Sequence, residues 1–219
     1  LGGYSAMDWR TVAWRRLFRS DDLSRLTSDD IERFAALGIR TVVDLRRPTE
    51  IAELGRIPSF AGVDYHHIHL VHQLWPPSDH TTLDQRVAFL IDRYREMSIE
   101  AGEGIGEALR LIAEADAAPL VVHCIAGKDR TGIVVALTLW LLGVDEDTIV
   151  RDYALSEPAD AAIRAVLGKQ PSRVAVAPAA AMRGFLAWLR EHHGSVAAYV
   201  KAIGVTDDHI AAMRAHLLV

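Results

Sequence analysis

Two apolar runs with a short polar loop between them dominate the hydrophobic pattern of this chain. Residues 120–122 are apolar, and residues 133–142 form a longer run that carries no charge. The short run predicts a buried strand and the long run a buried helix, because buried strands are shorter than helices. The loop between the two runs contains Gly127, so we expect a tight turn there.

Other apolar segments predict further strands of the same sheet. A buried parallel strand is predicted over residues 39–43 and another strand over residues 63–70. The N-terminal stretch that ends at Ser20 predicts a short sheet edge, with its arginines solvated or paired. Together with residues 120–122, these segments predict a central, mostly parallel sheet.

Two polar residues, Asp44 and Arg46, follow the predicted strand at residues 39–43. In open α/β sheets the ligand crevice lies outside the carboxyl ends of the strands. Because Cys124 also follows a strand, Asp44 and Arg46 are candidates to border the same pocket in a supporting role. The alternative is that they only pair with each other or with Glu50.

Helical periodicity and capping residues fill most of the remaining chain. Thr27 and the acidic residues after it start the first helix, and Gly38 ends it. The fold class predicted is therefore α/β, a sheet flanked by helices, with a helical C-terminal flank over residues 158–219. The predicted helices cover residues 27–37, 83–97, 102–115, 145–157, 158–168, 178–193, 195–203 and 206–219.

Length and composition predict one domain over residues 1–219, since half of the residues are apolar and no linker divides them. The net charge of −5 gives no support for nucleic acid as a partner. No long uncharged apolar segment is present, so we expect no stable membrane insertion. We expect a monomer that is cytoplasmic, or exported without a visible signal peptide.

The loop after residues 120–122 contains the only cysteine of the chain and, six positions later, an arginine. Loop N–H groups and the start of the following helix can bind an anion. Their dipoles, with Lys128 and Arg130, favour Cys124 as a thiolate at neutral pH. Arg130 offers a planar fork that matches two phosphate oxygens. We therefore expect in-line attack by Cys124 on a phosphate ester, a phosphocysteine intermediate and its hydrolysis.

The neighbours of these two residues have predicted supporting roles. Thr131 is placed to hydrogen-bond the sulfur and help it leave in the second step. His123 is expected to orient the loop rather than to transfer protons. The phosphate-binding residues predicted for the loop are Ile125, Ala126, Gly127, Lys128 and Arg130.

The residues around the cysteine resemble the signature of the cysteine-dependent protein tyrosine phosphatase superfamily. They carry Cys-x5-Arg, with His before it and Thr-Gly after it. The string over residues 123–132 is similar to a bacterial atypical branch, the mycobacterial phosphatase B type, with tyrosine and lipid phosphatase activity. Similar residues at 1–4, 17–20, 43–46 and 152–153 extend the resemblance over most of the chain. It implies a tyrosine-phosphatase-like fold, with helices in the C-terminal flank as a lid or as a plain flank.

The activity implied is a phosphomonoesterase that hydrolyses phosphotyrosine, and also phosphoserine or phosphothreonine and phosphoinositides. Its partners would be phosphorylated proteins or phosphoinositides, and it would need no cofactor. Two other classes stay open on the sequence alone. One is a phosphate-binding pseudophosphatase, and the other is a rhodanese-type sulfurtransferase, which also presents a cysteine in a loop.

Expulsion of an alcohol or phenol needs a general acid near the leaving oxygen. The resemblance assigns this role to Asp129, with Asp44 as the second candidate and Asp79 as the third. Charge repulsion from the phosphate would help Asp129 to hold its proton. Lys128 is expected to point into the rim of the loop and to attract multiply phosphorylated head groups.

Metal binding is the last possibility that the sequence raises. His67 and His69 would share one face of the strand predicted over residues 63–70. No Cys, Asp or Glu at a suitable spacing completes a ligand set, so we expect no metal site. Residues 171–178 are predicted to be the most mobile segment.

Overall fold

The computed structural model describes residues 1–59, 62–75, 82–157 and 177–219. Within these ranges the chain forms four strands and nine α-helices. The strands are β1 (Leu17–Ser20), β2 (Thr41–Asp44), β3 (Asp64–His67) and β4 (Leu120–His123). The helices are α1 (Ser28–Ala36), α2 (Pro48–Leu54), α3 (Leu83–Glu100), α4 (Gly102–Ala113), α5 (Asp129–Leu142), α6 (Glu146–Ala154), α7 (Ala179–His193), α8 (Val196–Ala202) and α9 (Asp207–Leu217).

The four strands form one parallel sheet in the order β1-β4-β2-β3. Their last residues are in register, since His123 lies beside both Ser20 and Asp44, and Asp44 lies beside His67. All carboxyl ends therefore meet at one edge of the sheet, which is where α/β proteins bind their ligands. Cys124 follows β4, an inner strand, at this edge. The predicted α/β fold with a parallel sheet is confirmed.

Helices cover both faces of the sheet because successive strand residues point to opposite sides. Val122 and Val43 belong to the larger core, which also contains the apolar residues of α4 and α5. Val121 and Val42 belong to a smaller core, together with Phe34 of α1. Both faces being buried explains why the inner strands are apolar runs rather than alternating ones.

Helix α5 runs through the larger core and is buried from Arg130 to Leu139. Gly143 ends this helix in the left-handed conformation, with φ of +85°. At the other end, no side chain caps the first turn of α5. The N–H groups of that turn have no partners within the helix and point toward the loop after β4.

Several predicted boundaries differ from the structure, and one helix was missed. The strand predicted over residues 63–70 is shorter, because β3 ends at His67. Helix α2 was not predicted, although it has two typical helix-start signals. Pro48 is its first residue, and the Glu50 carboxylate accepts a hydrogen bond from the Arg47 N–H.

Part of the prediction falls outside the described residues. This applies to the helix over residues 158–168, to Asp79 and to most of the segment 171–178. The lid therefore stays a prediction, while α7, α8 and α9 match the predicted helices after residue 177. In the described ranges, no helix is long and apolar enough to cross a membrane.

Candidate active site

The loop after β4, residues 124–130, is shaped by its contacts with the end of β1. Gly127 has φ of +62°, and a Cβ there would lie 2.5 Å from the carbonyl oxygen of Ser20, so only glycine fits. Arg19 of β1 donates to the Gly127 carbonyl at 2.9 Å, and the Asp22 N–H donates to the Ile125 carbonyl at 3.1 Å. These bonds hold two loop carbonyls on the β1 side.

Four backbone N–H groups of the loop are free donors as far as the described residues are concerned. In the described part of the chain, those of residues 125–128 donate to no carbonyl and to no side chain. The uncapped first turn of α5 adds further donors beside them. Clustered N–H donors at a helix N-terminus form an anion site that suits a phosphate.

Cys124 and His123 lie at the base of this site. The Cys124 side chain is almost fully buried, directly beyond the last residue of β4. His123 is completely buried, with Nδ1 3.3 Å from the Cys124 carbonyl oxygen and Nε2 3.5 Å from Oδ2 of Asp44. Burial lowers the pKa of His123 despite the nearby Asp44 carboxylate, which favours the neutral ring. This supports an orienting role for His123.

Arg130 is held at its outer end by Glu50, a residue of α2. Nη1 of Arg130 lies 2.6 Å from Oε2 of Glu50, Nη2 lies 3.0 Å from Oε1, and Nη1 also approaches the Leu45 carbonyl at 3.4 Å. Nε of Arg130 has no acceptor among the described residues. The edge formed by Nε and the second Nη2 hydrogen therefore remains available for two phosphate oxygens.

The Glu50–Arg130 pair should make stability depend on pH. Burial alone would raise the pKa of Glu50, but the hydrogen bonds and charge of Arg130 lower it to about 2 from its usual 4.5. A depressed pKa means that the stabilisation is present above about pH 4.5 and is lost as the pH falls toward 2. The shift corresponds to about 3 kcal/mol at neutral pH. We expect Glu50→Gln to remove most of this dependence, as measured by urea unfolding between pH 2 and 7.

A surface pair provides the control for this prediction. Asp147 pairs with Arg183 at 2.7 Å, but its side chain is 70% exposed. Asp147→Asn should therefore change the free energy of unfolding by less than ~1 kcal/mol. Equal pH dependence in the wild type and in Glu50→Gln would show that the buried pair does not stabilise the fold.

Asp129, the first residue of α5, accepts two hydrogen bonds, and both go to the same carboxylate oxygen. Nζ of Lys128 and the Tyr94 hydroxyl each donate to Oδ1, both at 2.6 Å. Oδ2 accepts no hydrogen bond from the described residues. A proton on Asp129 would therefore reside on Oδ2, because Oδ1 already accepts two donors. The side chain of Asp129 is 19% exposed, which leaves it accessible to a substrate.

Lys128 does not take the position expected from the sequence. Its side chain is buried and paired with Asp129, instead of pointing into the rim of the loop. Burial opposes the charged form, but the Asp129 carboxylate outweighs it and raises the pKa of Lys128. Lys128 pairs with Asp129 because a buried ammonium group needs a carboxylate partner to remain charged.

A cleft of about 220 Å³ opens beside this acid and the arginine. Its walls include Asp129 and Arg130 on the loop side, with Arg47, His72 and Trp75 around them. Trp75 packs against Phe89 with the ring centroids 6.1 Å apart, which fixes part of the wall. An aromatic wall and a cationic edge fit a phosphorylated aromatic side chain.

Asp44 and Arg46 form a structural pair behind the site. Both side chains are completely buried, and Nη2 of Arg46 lies 2.7 Å from Oδ2 of Asp44. Tyr65 also donates to Oδ2 at 2.8 Å, and Nη1 of Arg46 contacts Asp22 at 2.8 Å. Burial would raise the pKa of Asp44, but the hydrogen bonds from Arg46 and Tyr65 and the neighbouring His123 lower it. Neither side chain is exposed to a substrate, so the structure favours pairing over a place in the pocket.

The remaining predicted residues are placed as follows. Thr131 is fully buried, and its hydroxyl has no hydrogen-bond partner among the described residues, Cys124 included. The assistance that Thr131 gives to the sulfur stays a prediction. His67 bonds to the Arg46 carbonyl at 2.8 Å and stacks near His69. Across the described ranges, no group of three His, Cys, Asp or Glu side chains is placed to hold a metal.

Sequence reasoning assigned no role in the site to three residues that contact it. These are Tyr94, Arg19 and Glu50, the last of which was named only as a possible partner of Asp44 or Arg46. The start of α2 could have revealed Glu50 as a helical residue. Tyr94 lies 35 residues before Asp129 in an ordinary amphipathic helix, where no local signal marks it. Arg19 donates to the Gly127 carbonyl and pairs with Asp152 at 2.7 Å.

A cysteine that directly precedes a loop of free N–H donors can attack, as a thiolate, a phosphoryl group that those donors hold. The fold and this site therefore define a cysteine-dependent phosphatase. The model of the tyrosine phosphatase family matches residues 1–219, and the chain belongs to that family. The resemblance inferred from the signature is confirmed.

Similar proteins carry matching descriptions. The chain is 30% identical over 254 residues to the triple specificity protein phosphatase PtpB of Mycobacterium tuberculosis, covering 93% of this chain and 91% of that protein. It is also 30% identical over 222 residues to a tyrosine-protein phosphatase of Nostoc commune, covering 91% of this chain and 73% of that protein. The crystal structure of P. aeruginosa TpbA has 16% identity and a TM-score of 0.40, with 89% of each chain covered.

Proposed function

We propose that the protein hydrolyses phosphotyrosine in proteins through a phosphocysteine intermediate, as a tyrosine phosphatase without a cofactor. The observation that carries this proposal is the free Nε–Nη2 edge of Arg130 beside the unused N–H donors of residues 125–128. Together they can bind the three non-bridging oxygens of a phosphate above Cys124. We also propose that it acts as a monomer, with no nucleic-acid partner.

The first chemical step transfers the phosphoryl group to the enzyme. The Cys124 thiolate attacks phosphorus in line, a sulfur–phosphorus bond forms, and the bond from phosphorus to the leaving oxygen breaks. Oδ2 of Asp129 gives its proton to the leaving oxygen, so that a neutral phenol or alcohol departs. Arg130 and the N–H donors stabilise the charge on the transferred group throughout.

The second step hydrolyses the intermediate and restores the enzyme. A water molecule attacks phosphorus while Asp129, now a carboxylate, accepts the proton of that water. The sulfur–phosphorus bond breaks, inorganic phosphate forms and Cys124 returns to the thiolate. Thr131 is the residue that we propose to stabilise the departing sulfur.

The structure favours a residue other than Lys128 as the source of a broad substrate specificity. Lys128 serves Asp129, whereas Arg47, one of the described residues that line the cleft, has a side chain that is 24% exposed. An arginine there can contact a second anionic group on a substrate. The name of PtpB also supports a broad specificity. We therefore propose activity on phosphoserine or phosphothreonine and on phosphoinositides as well.

A substrate panel tests this proposal. We expect measurable phosphate release from a phosphotyrosine peptide, a phosphoserine peptide and a phosphoinositide, with the tyrosine peptide fastest. Lys128→Met should reduce the phosphoserine and phosphoinositide rates by similar factors and the phosphotyrosine rate less, because the lysine positions the acid Asp129 and an alcohol needs that acid more than a phenol does. A selective loss on the phosphoinositide would instead assign Lys128 to head-group binding.

The same assay separates the alternative classes. Binding of the phosphotyrosine peptide without release of phosphate from any substrate would identify a pseudophosphatase. Transfer of sulfur from thiosulfate to cyanide would identify a sulfurtransferase of the rhodanese type. We expect neither result.

A further inference from the structure

Two buried tyrosines lie behind Asp129, one from α3 and one from α6. The side chains of Tyr94 and Tyr153 are 0% and 1% exposed, and their hydroxyl oxygens are 2.5 Å apart. The hydroxyl of Tyr94 also lies 2.6 Å from Oδ1 of Asp129. The mechanism described above uses neither hydroxyl.

The direction of these hydrogen bonds follows from the acceptors present. Oδ1 of Asp129 accepts from Nζ of Lys128, and it carries no proton when the acid proton is on Oδ2. Tyr94 must therefore donate its hydroxyl hydrogen to Oδ1. The Tyr94 oxygen can then only accept from Tyr153, so the hydroxyls form a chain that ends at Asp129. Each bond in such a chain polarises the next.

The tyrosines cannot easily turn away from this arrangement. The ring of Tyr94 packs edge-on against the rings of Tyr153 and Phe185, with centroids 6.1 and 6.0 Å away. A Cβ added at Gly132 would lie 3.0 Å from the ring of Tyr153, so the first turn of α5 contacts that ring closely. Packing thus fixes the Tyr94 hydroxyl relative to the start of α5, where Asp129 lies.

Both hydroxyls keep their protons at neutral pH and are therefore available as donors. Burial and the nearby Asp129 carboxylate raise the pKa of Tyr94 well above its usual value of 10. Burial also raises the pKa of Tyr153 to about 12. Any change in activity near neutral pH therefore comes from another group.

We propose that Tyr94 is a positioning residue for the acid step, with Tyr153 as the donor that supports it. This inference rests on the proposed role of Asp129. Tyr94 and Lys128 hold Oδ1, so that Oδ2 is the oxygen directed at the leaving group. They also stabilise the carboxylate that forms on Asp129 as the proton leaves. The acid and the residues that position it therefore come from α3, α5 and α6, although only Lys128 and Asp129 belong to the loop.

The test compares Tyr94→Phe with the wild type on two leaving groups. We expect kcat for an alkyl phosphate to fall about 10-fold, the usual effect of one hydrogen bond to a charged group. For 4-nitrophenyl phosphate, whose leaving group needs no proton, the change should be under about twofold. The basic limb of the kcat–pH profile should move to higher pH, because one donor that favours the carboxylate is lost. Tyr153→Phe should act in the same direction with a smaller effect, and it replaces Tyr94→Phe if that variant does not fold.

Tyr199→Phe is the matched control. Tyr199 is also buried, and its hydroxyl donates to the Ser98 carbonyl at 2.9 Å. Its loss should lower the free energy of unfolding without any dependence on the leaving group. Equal losses on both substrates in Tyr94→Phe, or an unmoved basic limb, would overturn the proposal.

The variant Asp129→Asn separates this proposal from the proposed function. In that background Tyr94→Phe should cause no further loss that depends on the leaving group, because there is no acid to position. If Asp129→Asn is insensitive to the leaving group, the acid assignment fails. If Asp129→Asn is sensitive and Tyr94→Phe is not, only the role of Tyr94 fails.

Discussion

Replacement of Cys124 by serine is expected to abolish turnover of a simple aryl phosphate. A serine hydroxyl at this position is not ionised near neutral pH, and the ring nitrogens of the adjacent His123 lie by the Cys124 carbonyl and by Asp44 instead. The substitution changes the size of a buried side chain very little, so the loop and Arg130 should keep their arrangement. We therefore expect Cys124→Ser to bind a phosphotyrosine peptide with an affinity similar to that of the wild type.

Steady-state assays and peptide titrations together check this result. Vanadate should inhibit the wild type, since it occupies a phosphate site and bonds to a thiolate, and a chelator should have no effect. Full activity in Cys124→Ser would exclude the cysteine mechanism. Loss of wild-type activity in the presence of a chelator would point to a metal-dependent reaction instead.

Replacement of Asp129 by asparagine should cause a loss that grows with the basicity of the leaving group. Removal of a general acid typically costs about 10²–10⁴-fold. We expect losses of this size for alkyl phosphates and a small loss for 4-nitrophenyl phosphate. The measurement is kcat across a series of phenyl and alkyl phosphates, plotted against the pKa of the departing alcohol.

Asp44→Asn is the comparison for this prediction. Asp44 is completely buried against Arg46, so its loss should lower the free energy of unfolding and leave the slope across leaving groups unchanged. A slope that changes only in Asp44→Asn would transfer the acid role to that residue. Asp129 would then have a structural role in the loop.

The centre of the fold was predictable because its pattern is unambiguous. A short apolar run, a glycine-containing loop and a long uncharged run differ enough in length to indicate a buried strand followed by a buried helix. The positions of β2 and β4 followed from the same reasoning, and parallel pairing placed their carboxyl ends together. Helix α2 escaped notice because its residues are mostly exposed and show no apolar stripe.

Within the site, the sequence identified the residues of the loop but not their partners. Glu50 and Arg130 are 80 positions apart, and they meet only because α2 begins shortly after the carboxyl end of β2. For Lys128, the sequence identified the residue but not the direction in which its side chain points. Whether a lysine faces solvent or a neighbouring carboxylate depends on burial, which a linear sequence does not specify. For Asp44 and Arg46 the sequence allowed two arrangements, and the structure favours the buried pair.

The ion pair between Glu50 and Arg130 also affects the thermodynamics of ligand binding. A free arginine side chain has about 2 kcal/mol of rotamer entropy, which a flexible site would lose when its ligand arrives. Here the guanidinium is already fixed by Glu50 and the Leu45 carbonyl. Its conformational entropy is therefore lost when the chain folds and not when a phosphate binds. Binding of a small phosphate ester should therefore cost little further ordering of this side chain.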